Sequence, residues 1–235
     1  MRKIFSIARK ELNILFHTPM ATIVLMATIV VLNIFFFVII DENREASLRD
    51  VFAVMEFMFV FITPLLTMKM VAEEKLTGTL EFLMTTPTSN TAIILGKYLG
   101  ILIFYTLIIL LTSVYYFMID HFAHPDRLEM LVGYLGIWLE GAFFVALGIL
   151  TSSLTRHQVA AAISSYAILF LLYFSTTCLK YTSGITTSIV ERLSTLKHAE
   201  NFFVGLITTA DLIYYLSGII FCLVLAKLSL DRVRE

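Results

Sequence analysis

Charge is scarce in this sequence. Only 15% of its 235 residues are Asp, Glu, Lys or Arg, 59% are hydrophobic, and the mean hydropathy is +0.89. A soluble domain of this length cannot keep so much apolar surface out of water, so an integral membrane protein is indicated. The few charges nearly cancel, to a net −1, which gives no reason to expect nucleic acid. Cysteine is limited to Cys178 and Cys222, both inside apolar runs. That pattern argues against a disulfide or metal framework and reads them as small buried hydrophobes. Of the four prolines, Pro64 falls in the middle of an apolar run, where it removes a backbone donor and should kink a helix.

Several chemical signatures are also missing. There is no phosphate-cradling G-x-x-x-x-G-K-[ST] loop; the nearest match, Leu95-Gly96-Lys97-Tyr98, lacks the upstream glycine and the hydroxyl. Glu73 and Glu74 suggest a glutamate-based membrane protease, but the arginine such a site needs one turn on is replaced by Gly78, and the later spans lack histidines to hold a catalytic water. No Ser/His/Asp set is present, so an enzyme is not expected. His121 and His124 have metal-like spacing but sit beside Pro125, with no cysteine or carboxylate completing a set. Met55, Met58, Met68 and Met70 read as packing. No metal is expected.

What is present is a series of apolar runs of spanning length, at 20–40, 51–71, 91–119, 131–154, 158–179 and 212–230. In lipid each must be a helix, which satisfies its backbone groups within one segment, so the expected fold is an all-α bundle of six transmembrane helices in a single domain, 1–235. The basic start leads after Pro19 into a full-length apolar run with no small-residue cleavage site, and the first span is expected to be retained. Eleven of the lysines and arginines fall on the side of the two termini: Arg2, Lys3, Arg9 and Lys10; Lys69, Lys75 and Lys97; Arg156; Lys227, Arg232 and Arg234. Six fall on the other: Arg44, Arg49, Arg127, Lys180, Arg192 and Lys197. Both termini are therefore expected in the cytoplasm of a cell, or inner-membrane, protein.

Two amphipathic segments frame the bundle. Ile4, Ala8, Leu12 and Leu15 share a face within 1–18, which suits an interfacial helix. On the other side the longest loop, 180–211, aligns Ile185, Ile189, Leu193 and Leu196 and is expected to fold onto the external membrane surface, with 202–207 as a re-entrant turn. Inside the spans, Glu140 lies near the midplane with no partner identifiable, either as a cavity-lining or proton-linked group or as one side of an interhelical hydrogen bond. Glu56 and Asp120 read as interfacial. Gly96 with Gly100, and Ala142 with Ala146, are small-xxx-small pairs suited to close helix contact.

The polar stretch 72–90, EEKLTGTLEFLMTTPTSN from Glu73 on, interrupts this pattern. The second helix should run on through Lys75, break at Gly78 between Thr77 and Thr79, and resume as a short helix over 79–84. Pro87, Thr88, Ser89 and Asn90 should end that helix and cap the third span. Glu81 and exposed Leu80, Phe82 and Leu83 would project from it, too apolar to face water alone. A partner is implied.

The run E-E-K-x-x-G-T-L-E-x-L-x-x-x-P-x-S, continuing to Gly96-Lys97, resembles the hallmark of ABC transporter permeases of the second type. A further stretch over 201–217, N-F-x-x-G-x-I-x-x-x-D-L-I-Y-Y-L-S, resembles the permease subunits of gliding motility and, more loosely, of nitrous oxide reductase maturation. The resemblance implies a half-transporter of exporter type that pairs with a second permease copy or paralogue and is served by a separate cytoplasmic ATPase subunit. ATP and Mg would reside on that partner, with no cofactor in this chain. It implies that 1–18 is an elbow helix and that Glu73, Glu74, Gly78, Thr79, Leu80, Glu81 and Phe82 belong to a coupling helix seated in the ATPase. Membrane lipid and a periplasmic or extracellular accessory protein are further expected partners. Two other classes share the topology: an anchor or assembly component of a secretion or motility complex, and a membrane metalloenzyme or metal exporter resting on His121, His124 and the methionines.

Overall fold

The computed structural model describes residues 2–43, 47–80, 88–122, 126–179 and 193–234. Among them the ordered elements are all helical: α1 Arg2–His17, α2 Pro19–Asn43, α3 Arg49–Thr67, α4 Ala72–Leu76, α5 Asn90–Phe122, α6 Arg127–Leu154, α7 Gln158–Leu179, α8 Thr195–Phe203 and α9 Thr209–Arg234. Six of these segments are long and apolar enough to cross a membrane: α2, α3 with α4, α5, α6, α7 and α9.

α6 is the centre of the bundle, packed by α3, α5, α7, α8 and α9, and it is buried along almost its whole length. Its N-terminus is capped by Asp126, whose carboxylate accepts from the Leu128 amide at 2.9 Å. A bare Gly136 lets the Phe202 side chain of α8 lie directly on it, since a Cβ there would come within 2.4 Å of Phe202 Cβ. α2, α7 and α9 are peripheral and turn large apolar side chains such as Ile23, Phe37, Leu171 and Phe221 outward, as lipid-facing helices do.

The second span is not one continuous helix. Pro64 lies buried inside α3, α3 stops at Thr67, and residues 68–71 form a turn before the short α4. The cause lies on α6. Ser152 Oγ accepts from the Val71 and Ala72 amides, each at 3.1 Å, and donates to the Met68 carbonyl at 3.1 Å, so one hydroxyl serves the backbone groups that the break leaves unpaired. The third span starts as its sequence implies: Ser89 Oγ accepts from the Ala92 amide at 3.2 Å.

At the far end, α8 starts at Ser194, whose hydroxyl accepts from the Lys197 amide, and ends at Gly205, φ +82°, which lies against Glu129. Phe202 and Phe203 are buried against α6 and Phe52, while Leu206 and Ile207 are exposed. Asp211 ties α8 to the start of α9: it accepts from Asn201 Nδ2 at 3.0 Å and from the Thr208 hydroxyl, and meets His198 Nδ1 at 2.5 Å. The expected face through Ile185 and Ile189 lies outside the described residues.

Candidate functional site

The sequence singles out 72–90, and the structure describes it through Leu80 and again from Thr88. α4 carries Glu73, Glu74 and Lys75, and the chain then bends at Gly78, whose φ of +72° lies in the left-handed region that glycine enters without strain. Thr77 Oγ1 donates to the Glu73 carbonyl at 2.9 Å and lies 2.9 Å from Thr79 Oγ1, so the flanking threonines close the turn. Thr79 and Leu80 return to helix. Leu80 is not exposed as expected: it is 1% exposed and belongs to the hydrophobic core, because the bend folds it back toward the bundle. Glu81, Phe82 and the rest of the short helix lie outside the described residues.

α4 is fastened on three sides. Toward α6, beside the Ser152 contacts, the Lys75 ammonium donates to the Ser153 carbonyl, which also accepts from Ser229 of α9 at 2.7 Å. Toward α5, Glu74 Oε1 lies 2.7 Å from Lys97 Nζ. Toward α1, the same Lys97 lies 2.9 Å from Glu11 Oε1. Lys97 is 1% exposed, so its charge is tolerable only because two carboxylates surround it.

Sequence reading missed this triad. Lys97 reads from sequence as a cytoplasmic-side charge, as part of a failed phosphate loop and as the end of the permease motif, and Glu11 carries no reading there. The available signal was a lysine seven residues into an apolar span, which demands a carboxylate partner. The Gly96–Gly100 pair explains how α1 reaches it. A Cβ on Gly96 would fall 2.7 Å from Ile7 Cβ, and one on Gly100 2.9 Å from Glu11 Cβ, so the bare face of α5 is the seat of α1. The N-terminal helix thus packs on the bundle with its Ala8 face.

Deeper in the bundle, the structure brings together two residues that the sequence kept apart. Glu56, read as interfacial, is 1% exposed on α3 and stands against Glu140 of α6, itself fully buried. The correction follows from α3 packing lengthwise on α6, which places Glu56 inside the helix contact. Among the described residues no donor reaches any of the four carboxylate oxygens. An ionised carboxylate only accepts, so the pair closes its hydrogen bond only when one member carries a proton and donates it to the other. Thr63 and Tyr105, whose hydroxyls are hydrogen-bonded to each other, and Tyr215 complete this polar layer. Asp120 stays at its helix end, 3.6 Å from Arg127.

No group of three or more His, Cys, Asp or Glu side chains placed to hold a metal occurs among the described residues, and His124 lies outside them. A family model described as "ABC-2 family transporter protein" matches residues 16–220. No curated protein matches the chain.

Proposed function

The chain belongs to the ABC-2 family of transporter proteins, and from that premise we propose that it is the membrane-spanning half of an exporter, paired with a second permease and driven by a separate cytoplasmic ATPase. The observation that carries the proposal is the fastening of α4. A segment of only one and a half turns is bonded to α1, α5 and α6 by Glu74–Lys97–Glu11, Ser152 and Lys75–Ser153, so a displacement imposed on it moves three helices together. The chain has no nucleotide-binding loop of its own, so the energy has to arrive through a contact such as this.

In this reading the end of the bundle holding α1, α4 and both termini faces the cytoplasm of an inner-membrane protein, consistent with its excess of lysine and arginine. Glu73, Glu74, Gly78, Thr79 and Leu80, with Glu81 and Phe82 beyond them, form the seat of the ATPase, and α1 is the elbow helix. The pattern over 201–217 supports a place near the gliding-motility and nitrous-oxide-reductase-maturation permeases. Its Asn201, Gly205 and Asp211 are the residues that join α8 to α9.

The test is reconstitution with the cognate ATPase. Glu74→Gln, Gly78→Val and Glu81→Lys should weaken co-purification or lower transport-linked ATP turnover. If all three leave both unchanged, the coupling role is wrong. An anchor without transport of its own would show no substrate- or permease-dependent change in turnover at all.

A further inference from the structure

At the end of the bundle that holds both termini, a cavity of about 360 Å³ opens between α1, the start of α2, the end of α3, α4 and α5. Its two halves differ in chemistry. Leu15, Ala21, Leu65, Leu66 and Met70 form an apolar wall continuous with the spans. The charged part of the lining is Glu11, Glu73 and Glu74 with Lys69 and Lys97, joined by the hydroxyls of Thr18, Thr77 and Thr79. Lys97 is already enclosed by Glu11 and Glu74, and the second oxygen of Glu74 is buried with no donor among the described residues. The cavity therefore offers the half-buried carboxylate of Glu73 and one ammonium, Lys69, at the rim of a hydrocarbon-lined wall, with Glu74 turned to Lys97 behind them.

We propose that this cavity binds the headgroup of a phospholipid bearing a primary amine, phosphatidylethanolamine being the simplest, with its ammonium at Glu73, its phosphate at Lys69 and its glycerol and upper acyl chains along Leu15, Leu65 and Leu66. The occupant comes from the bilayer because the apolar wall lies where α2 and α3 enter it, and a free polar amine would leave that wall wet. The amine must be primary or nearly so. A trimethylammonium group has no N–H to donate to the Glu73 carboxylate, and an uncharged glycerol headgroup supplies no cation. The volume lies within the range of small-ligand sites.

The bound lipid would join α1 to α4 by a second route beside the Lys97 triad, so the site also bears on how firmly the two elements move together. The inference does not rest on the transport reading, because its readout is binding. Native mass spectrometry of the full chain in detergent, titrated with phosphatidylethanolamine, phosphatidylcholine and phosphatidylglycerol of matched acyl chains, tests it directly. One phosphatidylethanolamine per chain is expected, retained about tenfold more tightly than phosphatidylcholine, as a charge-assisted hydrogen bond implies. Glu73→Gln should remove that preference, and Lys69→Gln should weaken phosphatidylethanolamine and phosphatidylglycerol together. Helix content by circular dichroism checks that each variant is folded. Equal retention of the ethanolamine and choline lipids, or a preference undiminished in folded Glu73→Gln, overturns the proposal.

Discussion

Lys97 concentrates the residue-scale physics of this protein. A lysine amine held almost out of water is stable only while its carboxylates stay in place, and removal of the cation leaves Glu11 and Glu74 close together without it. Lys97→Met should therefore lower stability by about 3 kcal/mol or more, whereas the triple change Glu11→Gln, Glu74→Gln, Lys97→Met should recover much of it, because a buried ion cluster is worth less than its desolvation suggests. Thermal unfolding in detergent distinguishes the two. Glu140 makes the opposite prediction. Glu140→Gln keeps a donor pointing at Glu56 and should unfold close to wild type, while Glu140→Ala opens a cavity and leaves Glu56 alone, at a cost of about 2–4 kcal/mol. Equal behaviour of the two variants would mean that the pair does not share a hydrogen bond.

Elements in this fold are placed by what one helix lacks as much as by what another offers. The bare stripe of Gly96 and Gly100 admits α1, and a bulky side chain there meets Ile7 or Glu11 at once. Gly96→Leu should detach α1 from α5 while leaving the spans folded, seen as increased mobility of a spin label at Lys10 without loss of helix content. α4 depends on a hydroxyl two helices away in sequence. Ser152→Ala strips the Val71 and Ala72 amides of their acceptor, should cost about 1–3 kcal/mol locally, and should accelerate hydrogen exchange at those two amides. Unchanged exchange would show that water or another group serves the turn. The sequence announced the break through the polar run and Gly78, but placed it at the glycine. The first break comes at 68–71 because the acceptor that permits it belongs to α6, and no local pattern in 64–72 records that.

At the scale of the whole molecule, the six spans alternate direction, so α1, α4 and the C-terminal end of α9 share one end of the bundle, and α8 sits at the other. With native cysteines replaced, an impermeant maleimide should label Arg49→Cys and Arg127→Cys in intact cells, and Lys10→Cys and Arg156→Cys only after permeabilisation. The reverse pattern would invert the orientation inferred from the lysines and arginines.

The sequence by itself determined the class of this protein. Apolar runs of spanning length have one solution in lipid, because every backbone group must bond within its segment, and their number and the polar interruption at 72–90 follow without reference to any contact. It also determined the amphipathic start and the cap at Ser89, which are local. Only the tertiary structure decided which polar residues meet. Glu56 and Glu140, Lys97 with Glu11 and Glu74, and Ser152 with the turn before α4 are each separated by more than twenty residues along the chain in at least one partner. A buried charge states that it needs a partner, but the partner is chosen by which helix faces come together, and in a bundle of near-uniform apolar helices that choice is made by small residues and packing rather than by any periodicity the sequence displays.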